Sequence, residues 1–253
     1  MQRADQLLTE KKLAASRSQA QRLISAGSVE WHSSGQDCWQ TVQKPGQLLP
    51  ATTVFRLNDA SETRYVSRGG LKLAGALQHS QLAITGWHCL DIGQSTGGFT
   101  DCLLQHGAGR VVGVDVGHNQ LHPQLRDNPR VNCIEKVNAR ELPLSLLVCN
   151  DGKPFDLVVM DVSFISQTLI VPSLAALIKH GGYALNLVKP QFEAGPDAVN
   201  KKGLIKKTDT YPLVEQRIRE AYESENWEIL DYFPSAITGG DGNREFFILA
   251  KRA

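Results

Sequence analysis

WHCLDIGQSTGGFTD, residues 87–101, runs from a short apolar stretch into a loop with glycines at 93, 97 and 98 and out into a helical stretch. Strand, glycine turn and helix in that order predict a nucleotide-cofactor loop, because glycine tolerates positive φ and lets backbone approach a ligand at a helix N-terminus. Working outward, RVVGVDVG (110–117), FDLVVMDVSF (155–164) and GYALNLVKPQF (182–192) are further Val/Leu/Ile-rich runs of strand length. GGFTDCLLQHG (97–107) and QTLIVPSLAALIKHGG (167–182) read as helices between them. Such alternation predicts an α/β fold, a parallel sheet with helices on both faces. WEILDYFPSAI (227–237) and NREFFILAKR (243–252) have no helix between them and predict an antiparallel pair at the edge of that sheet.

The loop chemistry narrows the cofactor. Ser95 stands where a dinucleotide loop has its second glycine, and Asp91 lies just upstream, so negative charge there suits an amino-bearing cofactor better than a diphosphate. Asp115 follows Gly93 by 22 residues, at the end of the second strand, where an acidic side chain grips both ribose hydroxyls of an adenosine. Asp91, Gly93, Ser95, Thr96, Gly97, Gly98 and Asp115 are therefore candidate contacts for S-adenosylmethionine rather than NAD. Asn138, in EKVNAREL, reads from the sequence alone as a turn residue.

Chemistry in an open α/β sheet sits at the C-terminal strand ends. Asp161 closes DLVVMD, Lys189 closes ALNLVK and Glu245 opens EFFILAK, each charge abutting a run that must be buried. Isolated burial costs several kcal/mol by order of magnitude, so a mutually paired cluster is the economical arrangement, and Lys72 in SRGGLKLAGAL is placed to join it. A structural ion-pair network and a catalytic one are both open readings. Phe164 and Phe192 follow two of these strand ends, as core residues or as platforms for an extruded base.

Residues 1–60 read as a separate α+β module, joined by a linker at 61–69 to a domain spanning 70–253. RADQLLTEKKLA is helical, Ser16 and Gln19 have the form of a capping box, Ala20, Leu23 and Ile24 share a helix face, and Gly27 supplies a left-handed cap. SVEW and CWQTVQ flank HSSGQD as a hairpin, and GQLLPATTVFRL adds one more strand. Arg3, Lys11, Lys12, Arg17 and Arg22 against Asp5 and Glu10 give residues 1–25 a local charge of +3, as phosphate contacts or as solvated helix faces. Lys189, Lys201, Lys202, Lys206 and Lys207 against Glu193 and Asp197 give another +3, read as an RNA-facing loop that orders on binding.

With 253 residues, 42% hydrophobic and 21% charged, the chain is expected to be globular, and its net charge of +1 gives no global footprint for nucleic acid. The five cysteines form no C-x-x-C pair and read as thiols of a reducing cytosol. His118 and His122 are spaced like zinc ligands, but they lack a third ligand nearby and Pro123 spoils the helix, so no metal is expected. MQRADQLLTE has no signal-peptide character and no run approaches a membrane span, which predicts a cytoplasmic protein with no membrane contact.

Two resemblances bear on these readings. RADQLLTEKKLAASRSQAQRLISAGSVEW resembles the RNA-binding fold first seen in ribosomal protein S-four, although Glu30-Trp31-His32-Ser33 departs from the V-N-G that usually follows. YVSRGGLKL, DIGQSTGGFTD, GVDVG, MDVSFIS, VKPQFE and GGDGNREFF, in this order, resemble the TlyA (hemolysin A) family of FtsJ-like RNA ribose methyltransferases. That resemblance implies a Rossmann-like S-adenosylmethionine-dependent methyltransferase domain behind an RNA-binding domain. It also implies a Lys72-Asp161-Lys189-Glu245 tetrad, Asp161 beside the cofactor, Asn138 on its adenine side, and methylation of the ribose 2′-oxygen of cytidine in ribosomal RNA. Lys189 is then the candidate base, or a charged residue that steers the hydroxyl while water takes the proton. Arg64 and Arg68 in the linker, with Lys201 and Lys202, join the N-terminal cations as candidate RNA contacts. The expected partner is ribosomal RNA or a ribosomal subunit, with no obligate protein partner. A nicotinamide dehydrogenase, a non-catalytic RNA-binding protein and a pore-forming cytolysin are the rival readings.

Overall fold

The computed structural model describes residues 1–33, 38–58, 64–239 and 242–253, in two compact units, Met1–Val66 and Ser67–Ala253. Residues 34–37 of the hairpin turn expected at 32–37, and the first residues of the linker, 61–63, lie outside the described residues.

The first unit contains β1 (Gln2–Arg3), α1 (Ala4–Glu10), α2 (Arg17–Ser25), β2 (Val29–His32), β3 (Gln40–Thr41), β4 (Leu48–Leu49) and β5 (Val54–Leu57). Ser16 caps α2 by accepting from the Gln19 amide at 3.3 Å, while the Gln19 side chain accepts from the Ala15 amide at 2.7 Å, one residue earlier than a capping box requires. Leu7, Leu8, Leu23, Ile24 and Val29 from both helices and β2 make a small core. The single strand expected in GQLLPATTVFRL is two. Leu48–Leu49 pairs with β1 and Val54–Leu57 pairs with β2, because Pro50 lacks the amide needed to continue one ladder and the chain turns there.

The second unit contains α3 (Gly69–Ser80), β6 (His88–Ile92), α4 (Gly98–Gln105), β7 (Arg110–Asp115), α5 (Pro123–Arg126), β8 (Val131–Glu135), β9 (Phe155–Met160), α6 (Val171–Leu174), β10 (Ile178–Val188), α7 (Pro190–Glu193), α8 (Thr210–Glu223), β11 (Trp227–Pro234) and β12 (Phe246–Arg252). Its seven-stranded sheet has the order β11-β12-β10-β9-β6-β7-β8, with only β12 running against its neighbours. The predicted antiparallel pair is there, with β11 at the edge. The chain goes from β6 outward to β7 and β8, then returns to place β9 on the other side of β6. That reversal opens a crevice at the C-terminal ends of β6 and β9, where ligands bind in such sheets.

The helix expected over 167–182 is not formed. Residues Gln167–Leu169 are one 3₁₀ turn, α6 has four residues, and the IKHGG stretch is already strand, entering β10 through a bulge. Ile170, Val171, Leu174, Leu177 and Ile178 are fully buried at helical spacing while Leu169, Pro172 and Ala176 are exposed, but Pro172 and the β-branched Thr168, Ile170 and Val171 disfavour a long helix, and strand begins at Ile178. Sequence reading assigned no helix to 210–223, although Val214, Ile218 and Tyr222 recur every fourth residue and are the buried face of α8.

Candidate active site

A cleft of about 480 Å³ lies along the ends of β6, β7 and β9, with Gly93, Ser95, Asp115, Gln120, Asn138 and Phe164 among its walls. A second of about 190 Å³ shares Gly93, Ser95, Asp161 and Ser163 with it and adds Thr96, Gly98 and Lys189. Gly93 has φ +81°, and a Cβ there would lie 2.6 Å from the carbonyl oxygen of Asp161, so only glycine lets the β6 loop close against the end of β9. Ser95 is left-handed at φ +48°, a conformation held by its amide donating to Asp115 Oδ2 at 2.7 Å and its hydroxyl donating to Gln120 Oε1 at 3.2 Å. Asp115 Oδ1 accepts from the Gly117 amide at 2.7 Å. A carboxylate has about four acceptor sites, so Asp115 keeps capacity for two hydroxyls. Asn138 lines the larger cleft and also caps a 3₁₀ turn by accepting from the Arg140 amide at 3.1 Å, which joins its two readings.

Two candidate cofactor contacts are corrected. Gly97, at φ +93°, is the N-cap of α4, and a Cβ there would run into Leu121 and Leu125, so its role is packing beneath the loop. Asp91 is fully buried and lines neither cleft. Its Oδ2 accepts from Thr100 Oγ1 at 2.7 Å, and that oxygen accepts from Gln94 Nε2 at 2.8 Å. Burial pushes the Asp91 carboxyl up to about 7, against the pull of the Thr100 hydrogen bond. The carboxyl expected at the cofactor is thus buried and turned inward onto Thr100.

This raised value has a sign that can be tested. A carboxyl whose folded-state pKa exceeds its unfolded value costs stability as pH rises from the ordinary carboxylate range through about 7. Asp91→Asn removes that cost. The melting temperature of the variant relative to the native protein should therefore climb between about pH 5 and pH 8. A difference that stays flat over this range would mean that Asp91 titrates below it.

The four charged residues come together as two ion pairs. Lys72 Nζ on α3 lies 2.5 Å from Glu245 Oε2, with side chains 9% and 3% exposed, and Lys189 Nζ lies 2.5 Å from Asp161 Oδ1. Lys189 also donates to Ser163 Oγ at 3.1 Å. The pairs are close enough to act on one another. Burial pushes Glu245 up, Lys72 and Lys189 oppose this, and Asp161 adds to it. Burying ion pairs is poor economy for stability alone, and a charged pair at the wall of a cleft is a candidate for chemistry.

Phe164 does not pack in the core. It is 89% exposed at the cleft, has a left-handed φ of +63°, and its ring lies 5.0 Å from that of Phe192. For a bulky side chain such backbone costs of order 1–3 kcal/mol, which marks the position as constrained.

The candidate RNA contacts divide. Arg3 and Arg17 are drawn onto the buried Asp5, at 3.0 and 3.2 Å, and Gln21 donates to the same carboxylate at 3.0 Å. Arg3 foremost holds that carboxyl far below the usual range. The local +3 is therefore partly spent inside the unit. Lys11 and Lys12 are exposed, Arg22 and Arg68 half-exposed, and Arg64 is exposed over the ring of Tyr65 at 5.2 Å. Lys201 and Lys202 are exposed on a loop that closes on itself and on Asn243. Val199 bridges Ile205, and the Asn243 side chain accepts from the Ile205 amide at 3.1 Å and donates to the Gly203 carbonyl at 2.9 Å. His122 caps α5 by accepting from the Gln124 amide. Among the described residues no cluster of three or more His, Cys, Asp or Glu could hold a metal, and no helix is long and apolar enough to cross a membrane.

Sequence reading missed polar residues at and behind the clefts: Gln94 at the smaller cleft with Thr100 beneath the loop, Gln120 at the wall of the larger cleft beside Ser95, and the buried Gln167, Asn186, Glu193 and Tyr222. Asn186, polar inside the apolar run ALNLV, carried the clearest signal.

Known proteins resemble this arrangement throughout. A family model described as FtsJ-like methyltransferase matches residues 65–252. The chain is 37% identical over 246 residues to the 16S/23S rRNA (cytidine-2′-O)-methyltransferase TlyA of Mycobacterium tuberculosis, covering 97% of this chain and 88% of that one. It is 38% identical over 204 residues to hemolysin A of Brachyspira hyodysenteriae, covering 81% and 80%. A solved structure from Streptococcus thermophilus superposes with TM-score 0.75 at 37% identity, covering 99% of this chain and 88% of that one. An S-adenosylmethionine-dependent methyltransferase from Mesorhizobium loti shares the fold, with TM-score 0.50 at 16% identity over 70% of this chain and 96% of that one.

Proposed function

Because the chain belongs to the FtsJ-like methyltransferase family, we propose that it transfers a methyl group from S-adenosylmethionine to the ribose 2′-oxygen of a cytidine in ribosomal RNA. The observation that supports this best is the pairing of Lys189 with Asp161 at the wall of the smaller cleft, beside the pairing of Lys72 with Glu245. Gly93, Ser95, Thr96 and Gly98 would cradle the cofactor, Asp115 would take its ribose hydroxyls and Asn138 its adenine side. The fit rests on the two clefts that meet at Gly93 and Ser95 and on the spare acceptor capacity of Asp115. When bound, S-adenosylmethionine supplies an electrophilic methyl group on a positively charged sulfur.

The protein's part is to hold the 2′-oxygen in line with that methyl group and to ease loss of its proton. Lys189 gives one ammonium hydrogen to Asp161 and one to Ser163, leaving a third to direct at the hydroxyl oxygen. This pairing supports steering by a charged lysine, with the proton passing to water. Lys72 and Glu245 support the pair from a nearly water-free position. Phe164 offers an exposed ring on which the target base can stack once it leaves the helix. Lys11, Lys12, Arg22, Arg64, Arg68, Lys201 and Lys202 would contact phosphates. The substrate is the RNA or a ribosomal subunit in the cytoplasm, reached without an obligate protein partner.

The direct test uses methyl-labelled S-adenosylmethionine, ribosomal RNA from cells lacking the protein, and nucleoside analysis of the product. Labelled 2′-O-methylcytidine is expected. Label on a base would overturn the ribose assignment, and no transfer to free RNA or to subunits would overturn the activity. Asp115→Ala, which removes a charged acceptor worth about 1.5–3 kcal/mol per hydrogen bond, should weaken cofactor binding by at least about tenfold in calorimetry. Native affinity in that variant would remove Asp115 from the site.

A further inference from the structure

Behind the two strand ends lies a polar chain that none of the roles above uses. Ser166, in the segment that follows Asp161, donates to Glu193 Oε2 at 2.5 Å, and the Gln167 amide donates to Glu193 Oε1 at 2.9 Å. Glu193 closes α7, the turn that follows Lys189. The chain continues inward, since Tyr222 donates to Gln167 Oε1 at 2.9 Å and Asn186 of β10 donates to the Tyr222 hydroxyl at 2.6 Å. On the outer side Arg217 of α8 donates to the Glu193 carbonyl at 2.9 Å. Glu193 is 3% exposed, Gln167 1%, and Asn186 and Tyr222 are fully buried.

Glu193 lines neither cleft, so it touches no substrate. A carboxylate is nevertheless a costly way to join two segments that apolar packing could join. What it adds is direction, because two donors from one segment fix both oxygens of a side chain on the other. The segment it holds carries Asp161, Ser163 and Phe164, and the turn it belongs to carries Lys189 and Phe192. Each contact between those two groups, Lys189 with Asp161, Lys189 with Ser163 and Phe164 with Phe192, therefore spans the joint that Glu193 closes.

We propose that Glu193 is a positioning residue for methyl transfer: its buried carboxylate ties the segment after Asp161 to the turn after Lys189 and so sets how those two side chains meet. The inference rests on the methyltransferase reading given above. A displacement of about 1 Å at reacting groups can cost on the order of a hundredfold in rate, so a loosened tie is read in kcat before it is read in binding.

The test compares Glu193→Gln, Glu193→Asp, Ser166→Ala and Tyr222→Phe in the full chain, with rates divided by the number of sites titrated with S-adenosylmethionine. Glu193→Gln puts an amide donor against the two existing donors, and its kcat should fall at least about tenfold, with cofactor affinity and KM for RNA within about threefold of native. Glu193→Asp keeps both acceptor oxygens and should recover part of the rate. Tyr222→Phe breaks the inner chain and spares the tie, so it should lower the melting temperature with kcat within about twofold of native. Ser166→Ala cuts one of the two ties and should show the same kcat-specific loss in milder form, which covers the case of a Glu193→Gln protein that does not fold. An active native protein with an undisturbed Glu193→Gln kcat would overturn the inference, as would rate losses that merely follow melting temperature across all four variants. A native protein that transfers no methyl group would instead sink the methyltransferase reading itself.

Discussion

Lys189→Ala should lower kcat for methyl transfer by about 10²–10³, the loss that follows removal of one donor aimed at a reacting oxygen, while affinity for S-adenosylmethionine stays within a few-fold. The separation is expected because Lys189 borders only the smaller cleft and its hydrogen bonds run to Asp161 and Ser163, not to the Ser95–Asp115 side of the cofactor loop. Alanine also leaves Asp161 without its counter-charge, and Asp161 already acts unfavourably on Glu245, which would then have Lys72 without Lys189 to oppose it. Lys189→Arg isolates the geometry from the charge. It restores a cation for Asp161, but a planar guanidinium cannot reproduce the point charge of an ammonium and cannot give up a proton, so its rate should remain within about tenfold of the alanine variant. Native activity in either variant would make Lys189 structural. A native kcat that rises about tenfold per pH unit through the neutral range would return Lys189 to the role of general base.

How much of this could be read without coordinates depends on where each signal lies. Asp161, Lys189 and Glu245 were legible because a charge that abuts a run of buried β-residues has few places to go, and the pairing that burial demands is the pairing observed. Gly93 and Asp115 were legible for a similar reason, since each stands at a strand end where local backbone sets its direction. Asp91 stands at such an end too and was misread. Its direction is decided by Thr100, on the next helix, which draws the side chain inward. Arg3 and Arg17 were counted as surface charge, but the count could not show that Asp5 is buried between them. At 167–182 the buried positions keep helical spacing, but the strand that starts at Ile178 takes over the last of them, and at 210–223 periodicity was available but unread. The tie at Glu193 was out of reach in principle, because its hydrogen bonds join residues 26, 27 and, through Tyr222, 55 positions apart.

Removal of residues 1–66 should abolish methylation of ribosomal particles and leave cofactor binding intact. The remaining unit, Ser67–Ala253, contains the whole seven-stranded sheet, every wall residue of both clefts and all four members of the charged cluster, and its size of nearly 190 residues is ample for an independent core. What it lacks is the basic surface of the N-terminal unit. Lys11, Lys12 and Arg64 are exposed and Arg22 half-exposed, and these four are the residues expected to displace counterions from phosphate. At roughly 0.7–0.9 per contact, four contacts steepen the log-log dependence of affinity on salt by about three units, which removal should flatten. That loss of affinity is largest at low salt and narrows as salt rises, because each phosphate contact contributes most where few counterions compete. Low salt also strengthens the phosphate contacts that remain on Ser67–Ala253, so it should restore part of the rate of the shortened protein, a rescue that damage to the catalytic unit would not show. Binding and transfer therefore need to be measured on one preparation across a salt series. An unchanged slope with undiminished transfer would refute the RNA-binding role of the N-terminal unit, and a loss of transfer equal at all salt concentrations would place its contribution in the catalytic step instead.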